Sequence, residues 1–266
     1  MEILIKTARI SYGVMIAALG VQQLFYGNFR PVILPPWPIS FPGQLYCLYL
    51  ASFVLILAGL FIVFKNKARI VSLLLGGLFL LLVVFCQVPY EIKYDHYSGN
   101  LGSWAFAFKE LAFAGGAFVI AGSFPFIKKN GPPKIWLFNL LEKLIPYGSV
   151  FFCMTMICFG IDHFLYTKPI SGLVPAWIPG AMFWTRFAGA ALIASGVTIV
   201  LRIKLKLSAL LLALMIFLWL IVLHIPRAIA DPYGLQGNEI SSVFEAFGFS
   251  GIAYLMAYSY HAKKVF

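Results

Sequence analysis

The chain has 266 residues, of which 62% are hydrophobic and only 11% charged, with a net charge of +11. Soluble domains carry about 25% charged residues, so this composition excludes a water-soluble globular fold and sets apolar surface against lipid. No nucleic-acid-binding motif accompanies the basic excess, which excludes that class of partner.

About 20 apolar residues cross a hydrocarbon core as a helix. Breaks at Pro/Gly clusters and charge groups predict eight such spans, at residues 7–27, 43–64, 68–89, 103–126, 146–167, 181–201, 205–225 and 242–261. The expected fold is therefore an all-α, multi-pass integral membrane protein. The first span follows Lys6 and Arg9, is too long for a signal h-region and lacks a small-x-small cleavage pattern, so it is read as a retained helix. After it comes "LPPWP" (34–38), whose prolines deny the loop a helix while Trp37 favours the membrane interface. Between the fourth and fifth spans, "KIWLFNLLEKLI" (134–145) sets Ile135, Leu137, Leu140, Leu141 and Leu144 near one helical face, with Lys134, Asn139, Glu142 and Lys143 off it. Such a pattern predicts a short helix lying on the membrane surface.

Counted from the N-terminus, 14 of the 20 basic residues fall at alternate membrane faces, from Lys6 and Arg9 through Lys65, Lys67, Arg69, Lys128, Lys129, Lys134, Lys143, Arg202, Lys204 and Lys206 to Lys263 and Lys264. The positive-inside rule makes that face cytoplasmic, predicting an inner-membrane protein with both termini inside. Most acids (Glu91, Asp95, Glu110, Asp162, Asp231, Glu239 and Glu245) lie at or near the other side, so polar chemistry is expected in the outer half. Four cysteines lie in apolar runs without a CxxC pattern, which weighs against thiol–disulfide chemistry.

The halves resemble each other. With a shift of 140, "GVQQLFYGNFRPVILPPW" (20–37) overlies "GIDHFLYTKPISGLVPAW" (160–177), matching Pro35 and Trp37 to Pro175 and Trp177. A shift of 137 brings "FCQVPY" (85–90) onto "VLHIPR" (222–227), and one of 135 brings Glu110 onto Glu245. This predicts a tandem duplication: a four-helix repeat at 1–130, an interfacial linker at 131–145 and a second repeat at 146–266. Four spans per repeat make the copies parallel.

Together these landmarks resemble the DoxX-like family of bacterial membrane proteins, usually single four-helix bundles. The second half carries "DHF" (162–164), "VPAWIP" (174–179), "HIP" (224–226) and Glu245, as in that family. The first half departs, with Gln23 in place of His163 and Gln87 in place of His224, while Pro89 and Glu110 remain. The resemblance implies two tandem bundles. It also implies a redox-associated membrane subunit, since some relatives look like subunits of thiosulfate:quinone oxidoreductases.

Placed by depth, His163, Arg186, His224, Arg227 and Glu245 come to one outer level on four helices, near Tyr166 and Trp177, and predict an outward-opening pocket for a ligand. Glu245 is expected either to lock the bundle through His224, Arg227 or Arg186, or to contact a ligand or proton. Gln23, Tyr26, Trp37, Gln87, Lys109 and Glu110 take the corresponding places in the first half as a secondary pocket. Asp162 sits about 100° around the helix from His163, so only one of the two is expected to enter the pocket. Without HxxH or ExxH spacing, the histidines read as hydrogen-bonders before metal ligands. The Pro/Trp tracts read as flaps over the bundle mouths or as interfacial anchors. The expected ligand is a quinone or similar lipophilic small molecule. No haem pair, flavin motif, P-loop or CxxC is present, so catalysis would depend on a membrane or redox partner. The alternative is a lipid or small-molecule carrier, or a structural partner of another complex.

Overall fold

The computed structural model describes residues 2–37, 42–65, 67–124 and 136–259. Expectations for Pro38, Lys128, Lys129, Lys134, Ile135, Lys263 and Lys264 lie outside the described residues. The helices in chain order are α1 (Glu2–Tyr26), α2 (Gln44–Val63), α3 (Ala68–Leu82), α4 (Val88–Lys93), α5 (Ala105–Ser123), α6 (Trp136–Leu144), α7 (Gly148–Leu165), α8 (Thr167–Ser171), α9 (Ala181–Val200), α10 (Leu205–Trp219), α11 (Ile225–Ala230) and α12 (Asn238–Ser259). Among the described residues eight helical runs are long and apolar enough to cross a membrane, as expected of a multi-pass membrane protein.

Two runs continue past their expected ends. Pro89 and Pro226 lack an N–H and crowd the carbonyl four residues back, which ordinarily ends a helix. Here the turn before each proline widens to π geometry: the Val88 N–H donates to the Val83 carbonyl, and the Ile225 N–H to the Leu220 carbonyl. The helix therefore continues to Lys93 in one case and to Ala230 in the other. Each widened turn ends on a polar side chain, Gln87 or His224.

The bounds of α2, α3, the π turn and α4 recur 137 residues later as those of α9, α10, the second π turn and α11. Unusual backbone recurs at the same offset: Gly43 and Gly180 have φ of 87° and 75°, Lys65 and Arg202 of 59° and 60°, Lys67 and Lys204 of 49° and 42°.

Close helix pairs form where glycine lets backbones touch. A Cβ on Gly13 would lie 2.7 Å from the Gly59 carbonyl oxygen between α1 and α2, and one on Gly160 would lie 2.7 Å from that of Gly189 between α7 and α9. The helices pack in a closed order, α1–α2–α3–α5–α7–α9–α10–α12 and back to α1, with α5 also against α12. The two halves thus meet where α12 packs against α1 and α5 against α7, and α5 and α12, the most buried spans, also touch at the centre. Phe79 of α3, Phe113 of α5, Phe249 of α12 and Phe152 of α7 follow one another ring to ring at 5.4–5.8 Å across this centre. The Tyr12 hydroxyl of α1 donates to the Phe113 carbonyl at 2.8 Å. Outer helices present Phe53, Leu81, Phe187 and Leu211 outward, the surface that faces lipid.

Helix α6 forms within the expected segment, but its buried face is Phe138 and Leu141, set against Leu73 and Phe118, while Leu137 and Leu140 stay exposed. The difference follows from a two-point ion pair: Arg69 Nε and Nη2 donate to Glu142 Oε1 and Oε2 at 3.0 and 2.5 Å, which fixes the roll of the helix.

Candidate functional site

Five helices, α5, α7, α9, α10 and α12, enclose a cavity of about 430 Å³. Its deeper wall is apolar, with Met156, Leu192, Met215, Ile216 and Phe249, whereas its polar residues are Lys109, Asp162, His163, Thr185, His224, Ser242 and Glu245. Such a volume and lining fall in the range of small-molecule sites, about 300–1,000 Å³.

An ion pair in this wall joins the two halves. Lys109 Nζ, on the fourth span of the first half, lies 2.7 Å from Glu245 Oε2, on the fourth span of the second. Both side chains are shielded, at 16% and 5% exposure. Arg227, an expected partner of Glu245, instead grips Glu239 with Nε and Nη2 at 3.0 and 2.5 Å. The physical reason is proximity along the chain, since α11 and the start of α12 flank one short loop. Arg186 is exposed on α9 and does not line the cavity.

His163 and His224 line the cavity as expected. His163 Nδ1 lies 2.7 Å from the Phe159 carbonyl; donating there, the neutral ring offers Nε2 as an acceptor. Asp162 also lines the cavity beside His163, contrary to expectation. The sector of α7 between α5 and α9 is wide enough to turn two consecutive side chains inward. Asp162 Oδ1 and Glu245 Oε1 are buried without a hydrogen-bond partner among the described residues. Tyr166 and Trp177 do not line the cavity; Trp177 is 72% exposed, and Trp184 and Trp219 supply the aromatic wall. Ile170 of α8 and Leu173 and Val174 just after it complete the lining.

In the first half the corresponding residues hold a loop in place. Gln23 Nε2 donates to Ser52 Oγ at 3.1 Å, and its Oε1 accepts the Arg30 N–H at 3.3 Å. Gln87 Nε2 donates to the Pro31 carbonyl at 2.9 Å, and Val32 and Ile33 are buried. Trp37 packs edge-on against Tyr90 and Tyr94, and the Tyr26 hydroxyl donates to the Pro232 carbonyl at 3.1 Å. Burial pulls the Arg30 guanidinium below its ordinary range, against the opposing fields of Tyr26 and Glu245. Glu110, adjacent in sequence to Lys109, is fully buried, with neither carboxyl oxygen hydrogen-bonded among the described residues.

Among the described residues no group of three or more His, Cys, Asp or Glu could hold a metal ion. All four cysteines are free thiols. Compared with protein-family models, curated proteins and solved structures, the chain matches none of them.

Proposed function

We propose that this membrane protein binds a lipophilic molecule with a hydroxyl- or carbonyl-bearing head in the α5–α12 cavity, the quinone/quinol class being the best chemical fit. The observation that carries this reading is the amphipathic lining. An apolar floor suits a tail, and the mouth combines one ammonium donor, Lys109, with the acceptors Glu245 Oε1 and Asp162 Oδ1, both without a hydrogen-bond partner among the described residues, and with His163 Nε2. A quinol can donate to those acceptors, and a quinone carbonyl can accept from Lys109.

In this reading the basic end of the bundle is cytoplasmic and the cavity lies in the outer half of an inner membrane. The chain descends from a duplicated DoxX-like unit whose first copy has become scaffold. It presents its ligand to a redox partner, which would carry the electrons. The 137-residue recurrence of helix bounds and left-handed residues supports the duplication.

Purification in native lipids followed by organic extraction tests the ligand. A quinone or quinol at near one per chain, lost in Glu245→Gln, is the expected result. A phospholipid or isoprenoid alone would favour a carrier, and an empty cavity would leave a structural role.

A further inference from the structure

A second concavity, of about 530 Å³, opens at the basic end of the bundle, where the α9–α10 turn meets α12. Its lining divides by chemistry. Arg202, Lys204 and Lys206 supply cations, while Leu205, Leu207, Leu210 and Ala257 form an apolar wall. The turn is strained, with Arg202 and Lys204 both in the left-handed region at φ of 60° and 42°. That conformation is unfavourable for a non-glycine residue, and it sets two cationic side chains beside the first turn of α10.

The molecule contains its own precedent for what such a turn holds. At the 137-residue offset, Lys65, Lys67 and Arg69 correspond to Arg202, Lys204 and Lys206. In the first copy of the turn an anion is present: the Glu142 carboxylate of α6 sits on Arg69 through two hydrogen bonds. Among the described residues no carboxylate pairs with Lys204 or Lys206, and the Lys206 ammonium lies over the Tyr258 ring at 5.1 Å.

We infer that Lys204 and Lys206 bind the phosphate of an anionic membrane phospholipid, seated where Glu142 sits in the first copy, with its acyl chain along Leu207 and Leu210. The apolar wall is what selects a lipid over a free anion. A phosphate diester between lysines at a helix N-terminus, with hydrocarbon running toward the bilayer, satisfies both halves of the lining.

Native mass spectrometry of the full chain in detergent, titrated with phosphatidylglycerol or phosphatidylcholine, tests the assignment. The wild type should retain one phosphatidylglycerol in preference to phosphatidylcholine, and Lys204→Gln/Lys206→Gln should weaken that retention roughly 30-fold. Lys65→Gln/Lys67→Gln, on the first copy, should leave it unchanged. Equal retention by both double variants overturns the site. Displacement of the bound lipid by millimolar inorganic phosphate overturns the lipid as occupant. Should the Lys204/Lys206 variant unfold, loss of wild-type retention on raising salt, with none for phosphatidylcholine, supports the site, and a salt-independent preference sinks it.

Discussion

Replacing Lys109 by Met leaves the Glu245 carboxylate in a wall where it is only 5% exposed, and replacing Glu245 by Gln strands the ammonium at 16% exposure. Breaking a shielded pair of this kind costs about 3–5 kcal/mol, because the surviving charge keeps its desolvation penalty without its 2.7 Å partner. The two substitutions should not cost the same. Arg30 lies in the field of Glu245, so the carboxylate keeps one cation when Lys109 is lost, and Lys109→Met should be the milder change. The double variant Lys109→Met/Glu245→Gln removes both charges and should recover most of the loss, giving a coupling energy of about 3 kcal/mol. Reversible unfolding in mixed micelles, followed by circular dichroism across the four proteins, measures it. Single variants within about 1 kcal/mol of wild type, with additive effects, would refute the idea that this pair joins the halves.

Other expectations follow from the same geometry. Glu245→Gln should weaken binding of a soluble quinone analogue far more than Glu110→Gln, measured by quenching of tryptophan fluorescence from Trp184 and Trp219; equal losses would contradict a single functional cavity. Glu110→Leu replaces a buried carboxyl that has no hydrogen-bond partner among the described residues by an apolar group and should be neutral or stabilising by about 1 kcal/mol in the unfolding assay. Gly160→Leu should cost about 1–3 kcal/mol or more, since its side chain meets the α9 backbone, whereas Gly99→Leu, in open space, should cost little. Arg69→Ala should release α6, read as faster proteolysis near residue 136, at a cost of about 2 kcal/mol.

The spans were legible because membrane helices announce themselves by length and apolarity, and most of their ends fell within a few residues of the observed ones, the fifth run starting earlier, at Trp136. The exceptions are instructive. Pro89 and Pro226 marked the predicted ends of two helices, yet a widened turn absorbs each proline, an option that local composition does not distinguish from termination. His163, His224 and Glu245 could be assigned to one cavity because depth along a helix is a one-dimensional property. Their partners could not, because pairing depends on which helices become neighbours. Lys109 was visible as a polar residue in the fourth span, but only the packing of α5 against α12 brings it to Glu245 rather than to its own half. Trp184 and Trp219 gave no signal beyond hydrophobicity. The expectation that only one of Asp162 and His163 enters the cavity treats a helix as exposing one narrow face, and a five-helix wall accepts a broader arc.

The ion pair between α5 and α12 also bears on history and engineering. Severing the chain between its fourth and fifth spans would leave each fragment carrying a naked charge at hydrocarbon depth, a cation on one piece and an anion on the other. Co-produced fragments should therefore seek each other out, while either made by itself should fail quality control. A chain whose halves are held together in this way does not tolerate the loss of either one.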